Sequence, residues 1–223
     1  MRKAQNRKRE INTISLPKGQ KMPKLLLATS NLGKIREYRL LLGNTAYEIV
    51  TLAERGIAEL AAESGDTYEQ NAHLKASSYA KSSQLTTLAD DSGLEVDALH
   101  GEPGIHSARF GGEGTTDADK VRIILDKLAS IPWEERTAHF KCVIAIVTPE
   151  CQSEFFYGEC HGMIALEPKG ESGFGYDPIF YLPEMEKTMA ELSMEIKNQI
   201  SHRAQAARKA RQVLQQLLSP HSD

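Results

Sequence analysis

The sequence predicts a single α/β domain with two lobes on either side of a cleft. Segments with the apolar runs of buried strands alternate with segments whose apolar residues recur at helical spacing. No linker rich in proline, glycine or serine separates these segments, so one shared core is expected. Hydrophobic residues make up 40% and charged residues 26% of the 223 positions, which is the balance of a globular protein. The longest apolar runs are too short to cross a membrane.

The first predicted elements are a strand, a helix and a second strand. Lys24–Ala28 is a short apolar run of the buried-strand type. The turn Thr29–Gly33 leads into a helix that Gly43 is expected to end as its C′ residue. A weaker strand pattern follows at Tyr47–Val50. The apolar stripe of the helix consists of Ile35, Tyr38, Leu41 and Leu42.

A second helix, a buried strand and a long loop come next. Thr67 and Gln70 are spaced as a capping box, which predicts a helix start after the loop Glu63–Asp66. The predicted buried stripe of this helix consists of Tyr68, Ala72, Ala76, Tyr79 and Ala80. Leu85–Ala89 has the pattern of a buried strand. The polar, glycine-rich segment 90–114 predicts loop and hairpin structure.

The last third of the domain is predicted to contain a helix, a hairpin and a final helix. Thr116–Ala129 has helical spacing, and Thr137–Val147 with Ser153–Cys160 predicts an antiparallel hairpin. The final helix is expected from about Ser201 to Leu218. Its predicted inward face consists of Ala207, Ala210, Leu214 and Leu217.

Charge and cysteine content bear on location and partners. The net charge is −3, yet residues 1–24 carry eight basic side chains and one acidic side chain. We expect residues 1–21 to be a disordered basic extension rather than a nucleic-acid-binding domain, with an electrostatic anchor as the alternative, and residues 22–219 to form the domain. No secretory signal is evident. An odd cysteine count without a CxxC pattern predicts a cytoplasmic protein whose thiols are reduced and packed.

The turn between the first strand and the first helix is a candidate phosphate-binding loop. Backbone N–H groups and the positive helix end point at an anion in such a turn, and its lysine adds a full charge. The spacing does not match a Walker A loop, and a plain helix cap explains the serine and asparagine equally well. The residues of this turn are Thr29, Ser30, Asn31, Leu32, Gly33 and Lys34.

Two adjacent acids, Asp90 and Asp91, follow the predicted strand Leu85–Ala89. Consecutive strand residues point to opposite sides, so at least one carboxylate is expected to face a cleft, where it suits Mg²⁺. The alternative is that both acids begin a turn. Upstream, Glu63 could complete a carboxylate set and Lys75 could face phosphate, although exposed side chains of these types are usually only solvated.

Two later segments point to a flat, electron-rich ligand. Glycines flank Phe174, so the backbone can approach a ring that stacks on Phe174, although a turn with a packed phenylalanine is the alternative. If Ser201 caps the last helix, His202 and Arg203 occupy its first turn. Cations there oppose the helix dipole unless something anionic or electron-rich is bound. The remaining candidates, His100, His106, His139 and His161, show no pairing in their spacing and are expected to be structural or on the surface.

Five segments in this order resemble the RdgB-like inosine/xanthosine triphosphate pyrophosphatase family over residues 24–216. Five separate ordered matches make coincidence improbable, and the resemblance implies a long twisted mixed sheet with flanking helices and a homodimer. It also implies Mg²⁺-dependent hydrolysis of ITP, dITP and XTP to the monophosphate and pyrophosphate. The segments are TSNLGKIRE, ESGDTYEQNAHLKA, LADDSGLEVDALHGEPGIHSARF, GFGYDPIF and AELSMEIKNQISHRAQA.

The resemblance also assigns roles to single residues. It identifies the turn at residues 29–34 as the phosphate loop, Glu63 as a metal ligand, and Asp91 as both metal ligand and proton acceptor. It implies that Ser92 contacts substrate and that Lys75 faces phosphate. The implied base-binding and closing contacts are Phe174, Gly175, Tyr176, Asp177, Lys197, His202 and Arg203. The chain departs from the family pattern at Ala62 and Gln70, where many members carry acids, and at His106, where a tyrosine is usual.

Two other functions remain open at this stage. A Maf-like pyrophosphatase would act on pyrimidine or modified nucleotides, and the Phe174 segment followed by Ser201, His202 and Arg203 favours the purine interpretation instead. A non-catalytic RNA- or nucleotide-binding module would use the basic extension. Release of pyrophosphate in the presence of Mg²⁺ separates this module from both enzymes.

Overall fold

The computed structural model describes residues 21–58 and 64–217. Its centre is one seven-stranded mixed sheet with the strand order β2-β1-β3-β4-β5-β6-β7. The strands are β1 (Lys24–Leu27), β2 (Glu48–Thr51), β3 (Thr86–Val96), β4 (Thr137–Val147), β5 (Ser153–Ile164), β6 (Phe180–Leu182) and β7 (Lys187–Thr188). The α-helices are α1 (Leu32–Leu42), α2 (Tyr68–Ser83), α3 (Asp117–Lys127), α4 (Met194–Ile200) and α5 (His202–Gln216). The predicted mixed sheet with flanking helices is confirmed.

Strand β3 pairs with a different strand on each of its two edges, and only one of these pairings runs along nearly its whole length. Over Thr86–Leu88 it pairs in parallel with β1, and from Thr87 to Val96 it pairs antiparallel with β4. Strand β1 ends at Leu27, so no strand within residues 21–58 and 64–217 continues beside the second half of β3 on that side. A strand that extends beyond the end of its neighbour leaves a recess beside its free edge, and the candidate site lies in this recess.

Helices cover both faces of the β1–β3–β4 part of the sheet. Helices α1 and α5 pack on one face through Tyr38, Leu42, Ala207 and Leu214. Helix α2 packs on the other face with its small stripe Ala72, Ala76 and Ala80, which lets the helix axis approach the strands closely. A third apolar cluster, centred on Leu94, Ile124 and Phe180, fills the far end of the sheet beside α3. No described helix is long and apolar enough to span a membrane.

The predicted hairpin and helix starts agree well with the structure. Strand β4 has the predicted bounds, and β5 continues four residues further than expected. Thr67 caps α2 as predicted, accepting from the N–H of Gln70, but the Gln70 side chain accepts from the N–H of Asp66 instead of closing the box on Thr67. Gly43 follows α1 in a right-handed conformation with φ −60°, so it is not a left-handed C′ residue.

Other predictions were wrong. The segment from Asp90 to Val96 is strand, not loop, because it pairs along its whole length with β4. Leu217 is exposed, and so is Cys151, whereas the other two cysteines are buried as expected. The short elements α4, β6 and β7 were not predicted. Residues 1–20, Ala62, Glu63 and Leu218 lie outside the described part of the chain.

Gly158 sets the distance between α5 and the sheet. A Cβ atom at this position would lie 2.0 Å from the carbonyl oxygen of His202 and 2.7 Å from the backbone nitrogen of Ala206. Only glycine lets the first turn of α5 lie directly on β5. This contact places His202 and Arg203 at the recess beside β3.

Candidate active site

The recess beside β3 is a pocket that collects most of the predicted site residues. It is enclosed by the start of α1, the second half of β3, the segment before β6, and the junction of α4 and α5. The predicted residues that line it are Asn31, Lys34, Asp91, Ser92, Phe174, Gly175, Tyr176, Asp177, Lys197, His202 and Arg203. Thr29, Ser30, Leu32 and Gly33 belong to the same turn without lining the pocket, Lys75 approaches from α2, and Glu63 lies outside the described residues.

The turn before α1 is capped by its own asparagine. Asn31 Oδ1 accepts hydrogen bonds from the N–H groups of Gly33 at 2.9 Å and Lys34 at 3.1 Å. The alternative of a plain helix cap therefore holds, and those two N–H groups are already satisfied. What the turn offers to an anion is the positive end of α1 and the Lys34 side chain, which lines the pocket.

Asp90 lies beneath the pocket, on the sheet face covered by α1 and α5. Its Oδ2 is 3.0 Å from Lys34 Nζ and 3.5 Å from Arg203 Nε. Burial by itself raises the pKa of Asp90, but Lys34, Arg203 and Lys75 together hold that pKa below the usual range. The same burial, with Asp90 nearby, raises the pKa of Cys142 to about 12, so this thiol stays protonated. Asp90 is therefore a permanent buried anion that holds two cations in place.

Glu37 of α1 is a site residue that the sequence analysis missed. It is 1% exposed, and its two oxygens lie 2.8 Å from Lys197 Nζ and 2.6 Å from Arg203 Nη1. Lys197 also contacts Asp177, and Arg203 Nη2 donates to Ser92 Oγ at 2.9 Å. Lys197 and Arg203 were predicted near the pocket, and buried cations need acidic partners. In the sequence, the only sign of such a partner was Glu37, an acid next to the apolar Tyr38 of the predicted helix. Because both cations are paired with acids, N–H groups that were expected to donate to a base are already engaged.

The first turn of α5 carries one charge rather than two. Burial lowers the pKa of His202 well below 6.5, and the adjacent Arg203 and Lys197 lower it further. Its imidazole is neutral and stacks on Phe140 with ring centroids 4.7 Å apart. Burial would lower the pKa of Arg203, but Glu37 and Asp90 raise it well above its usual value. The expected conflict with the helix dipole comes from Arg203 alone, and two carboxylates offset it.

Asp91 points to the opposite face, toward α2. Its Oδ2 accepts from Asn71 Nδ2 at 3.2 Å, and its Oδ1 is 3.7 Å from Lys75 Nζ. Lys75 in turn donates to the Asp90 carbonyl oxygen at 2.7 Å. Asn71 Oδ1 accepts from the N–H of Gly65 at 2.8 Å, which ties the loop before α2 to this acid. Asn71 was not predicted, because an asparagine inside a helix gives no signal of its own.

The surroundings of Asp91 fit a magnesium ion. Mg²⁺ takes oxygen ligands and is commonly held by one or two carboxylates together with substrate phosphates. Asp91 offers hard carboxylate oxygens at the pocket wall, whereas Asp90 is engaged with cations on the other face. Of the two adjacent acids, Asp91 is the one with the donor chemistry and the position for a metal.

The Phe174 segment is held by acids on both sides of its glycines. Asp177 Oδ2 accepts from the Phe174 N–H at 2.9 Å, and Asp117 of α3 accepts from the Gly175 N–H at 2.8 Å. Gly173 has φ +81° and lies so close to Asp177 that a side chain would collide with its carboxylate. The phenyl ring lies against Gly33, with Lys197 Nζ 4.9 Å and Arg203 Cζ 5.4 Å from its centroid. Phe174 therefore closes one side of the pocket as a cation-supported aromatic wall.

Comparisons with known proteins agree with one another. The family model described as Ham1 family matches residues 25–213. A dITP/XTP pyrophosphatase of Halalkalibacterium halodurans is 46% identical over 83% of this chain and 95% of its own length, and one of Bacillus subtilis is 43% identical over 87% and 98%. The solved structure of the Staphylococcus aureus Ham1 protein is 42% identical, with a TM-score of 0.77, over 87% of this chain and 99% of that one.

Proposed function

The chain belongs to the Ham1 family, and on that premise we propose that it hydrolyses dITP and XTP to the monophosphate and pyrophosphate. ITP, which shares the hypoxanthine base, is included as a substrate. Water attacks the α-phosphorus and pyrophosphate leaves. The physiological result is removal of deaminated purine nucleotides before polymerases incorporate them.

One observation carries the proposal: a carboxylate, a lysine and an aromatic wall line the same recess, and a second lysine lies beside the carboxylate. Asp91 and Lys34 line the pocket, with Lys75 Nζ 3.7 Å from Asp91 Oδ1. Phe174 lines the pocket too, with its ring against Gly33 at the start of α1. A triphosphate lying along the recess would meet the cations, and its base would meet the ring. A binding module would need the cations and the ring, but not a carboxylate in this position.

In this proposal Asp91 takes the proton of the attacking water. Its carboxylate is held by Asn71, so its orientation is set before substrate arrives. Asp91 and Glu63 would hold Mg²⁺, which neutralises phosphate charge and makes water a better nucleophile. Lys34 and Lys75 place positive charge where the triphosphate and the departing pyrophosphate develop negative charge. Both lysines lie within ion-pair distance of the two aspartates, Lys34 of Asp90 and Lys75 of Asp91.

Base recognition is proposed to rest on the Phe174 wall and the first turn of α5. Hypoxanthine and xanthine carry a carbonyl at C6, where adenine carries an amino group, so a pocket that offers donors there favours them. Lys197 and Arg203 are engaged with acids and support the Phe174 ring. His202 lines the pocket as a neutral imidazole, and its Nδ1 has no hydrogen-bond partner among the described residues. We propose His202 as one donor to the base.

A pyrophosphate-release panel tests the function. The purified chain is assayed with Mg²⁺ against ITP, dITP, XTP, GTP, ATP, CTP and UTP, and Asp91→Asn purified in parallel controls for contaminating phosphatases. We expect kcat/KM for ITP, dITP and XTP to exceed that for ATP by roughly 10- to 1,000-fold, as one or two unmade buried hydrogen bonds would give. A preference for CTP or UTP would instead support the Maf-like alternative. Tight nucleotide binding without release of pyrophosphate would support the binding module.

The quaternary state and location belong to the same proposal. We propose a homodimer, as the family resemblance implies, in the cytoplasm, as the cysteine content predicts, with no stable nucleic-acid partner. Light scattering at micromolar concentration measures the mass directly. A mass near 24.7 kDa would contradict the dimer, since that is the mass of one chain.

A further inference from the structure

A cluster of titratable side chains lies outside the pocket, on the β4–β5 hairpin. His139 and His161 are direct partners in the strand register, and their Nδ1 atoms are 2.8 Å apart. Glu159 precedes His161 by two positions, so it shares the same sheet face, and its Oε1 is 3.6 Å from His139 Nδ1. The ligand atoms of these three residues all lie within 4.8 Å of one another. His161 is exposed and the other two are partly buried, so the cluster is accessible from solvent.

A carboxylate orients the central histidine from behind. The oxygens of Asp97, just after β3, lie 3.1 and 3.2 Å from His139 Nε2. Asp97 is itself held by the Thr137 hydroxyl, which donates to its Oδ2 at 2.5 Å. An ionised carboxylate only accepts hydrogen bonds, so His139 Nε2 carries a proton toward Asp97, and Nδ1 is the ring nitrogen that faces His161 and Glu159. A carboxylate behind a histidine in this way is the usual outer support of a metal-binding imidazole.

The three potential ligand atoms face one another. His139 Nδ1 is hydrogen-bonded to His161 Nδ1, and a cation that replaces the shared proton would take both rings and the Glu159 carboxylate as ligands. Ligand atoms around a tetrahedral Zn²⁺ are about 3.4 Å apart, given bond lengths of about 2.0–2.2 Å. Two of the three separations, 2.8 and 3.6 Å, lie on either side of that value and the third is within 4.8 Å, so side-chain rotations would bring the three atoms to it.

We propose that His139, Glu159 and His161 bind one divalent transition-metal ion of the Zn²⁺ type, with Asp97 as the positioning residue behind His139. Two imidazoles and one carboxylate suit Zn²⁺, Co²⁺ or Ni²⁺ far better than Mg²⁺, which prefers oxygen alone. Three protein ligands leave the fourth position to water. This site is separate from the proposed nucleotide pocket and does not depend on the proposed reaction.

Zinc titration of the full chain tests the site. The protein is first treated with a chelator and then titrated with ZnCl₂ by calorimetry in excess MgCl₂, which occupies the carboxylate pocket. We expect one Zn²⁺ per chain, and we expect His161→Gln to lose that binding. Asp97→Asn should weaken it by about 10- to 100-fold, because the imidazole loses its support. His100→Asn is the matched control: it removes a surface imidazole that is not one of the proposed ligands, keeps the backbone N–H that donates to the Asp97 carbonyl oxygen, and sits at a φ of +54° that asparagine tolerates.

A second readout locates the ion. In long-range ¹H–¹⁵N spectra, Zn²⁺ should shift the ring nitrogens of His139 and His161 and leave those of His100 unchanged. Circular dichroism confirms that each variant is folded. The proposal is overturned if the wild-type chain binds no Zn²⁺, if His161→Gln binds it as tightly, or if Asp91→Asn abolishes the binding. The last result would assign the ion to the nucleotide pocket.

Discussion

Asp90 and Asp91 are consecutive residues of one strand, yet their surroundings differ in kind. Asp90 is fully enclosed on the α1/α5 face, where Lys34 and Arg203 from distant parts of the chain neutralise it. Asp91 lies on the α2 face, where Asn71 and Lys75 of a single helix hold it at the pocket wall. The first acid joins elements together, whereas the second is held in orientation at the pocket wall. Strand alternation alone therefore places one of two identical side chains in a buried ion-pair network and the other beside the pocket.

The largest effect is expected from removing the charge of Asp90. Asp90→Asn leaves Lys34 and Arg203 facing each other without their common anion, and an uncompensated buried charge costs about 3–5 kcal/mol. Urea denaturation should show that loss in the free energy of unfolding. A loss under about 1 kcal/mol would mean that Glu37 alone is enough to neutralise Arg203. Asp90 and Asp91 would then not differ in their contribution to the free energy of unfolding.

The companion variant is expected to affect turnover and not folding. Asp91→Asn preserves volume and removes the proposed proton acceptor and metal ligand, so kcat for ITP should fall by about 100-fold or more. Its free energy of unfolding should stay within about 1 kcal/mol of wild type, because Lys75 retains the Asp90 carbonyl oxygen as acceptor. Wild-type kcat at saturating Mg²⁺ would show that the roles of the two aspartates are assigned incorrectly.

A smaller effect is expected on the pH dependence of the free energy of unfolding, through His202 at the start of α5. The pKa of His202 in the folded chain is lowered from 6.5, so its stabilising contribution is complete above pH 6.5. Below that pH the unfolded chain takes up a proton that the folded chain does not, and stability is lost as the pH falls toward the lowered pKa. Between about pH 6.5 and 5.5 this costs about 1 kcal/mol. His202→Gln should flatten the stability profile in that range, and an unchanged slope would show that His202 is not buried as a neutral group.

The smallest effect is expected from removing the basic extension. Deleting residues 1–21 should leave kcat/KM for ITP within about threefold at moderate salt, where screening limits the pull of basic side chains on an anionic substrate. All pocket residues come after this segment in the chain. A larger loss that disappears at high salt would show that the extension guides the substrate to the pocket.

The sequence predicted those features whose signals are local. The bounds of β4 follow from its apolar pattern, and the caps of α1, α2 and α5 follow from Asn31, Thr67 and Ser201. The second half of β3 was missed because Asp-Asp-Ser-Gly has the composition of a turn, and pairing with β4 overrides that preference. Gly93 is required by close packing and not by a turn, because a Cβ atom at this position would lie 2.2 Å from the Gly104 carbonyl oxygen.

Features of the site that depend on distant residues could not be predicted in this way. Glu37 forms ion pairs with Lys197 and Arg203, which are more than 150 positions away in the sequence. No local sequence pattern predicts a contact between residues so far apart. The pairing of His139 with His161 depends on the exact register of β4 and β5, which composition does not specify. The family resemblance supplied residue identities at the pocket, but not which of them neutralise one another.

The half of β3 that extends beyond β1 also bears on resistance to aggregation. An unpaired strand edge is a template on which another polypeptide can add a strand and begin to aggregate. Here Lys75 caps the Asp90 carbonyl, the Ser107 hydroxyl accepts from the Leu94 N–H at 2.9 Å, and Pro103 bridges to Glu95. Side chains at the rim of the pocket thus also shield this edge, so their loss should lower solubility as well as activity.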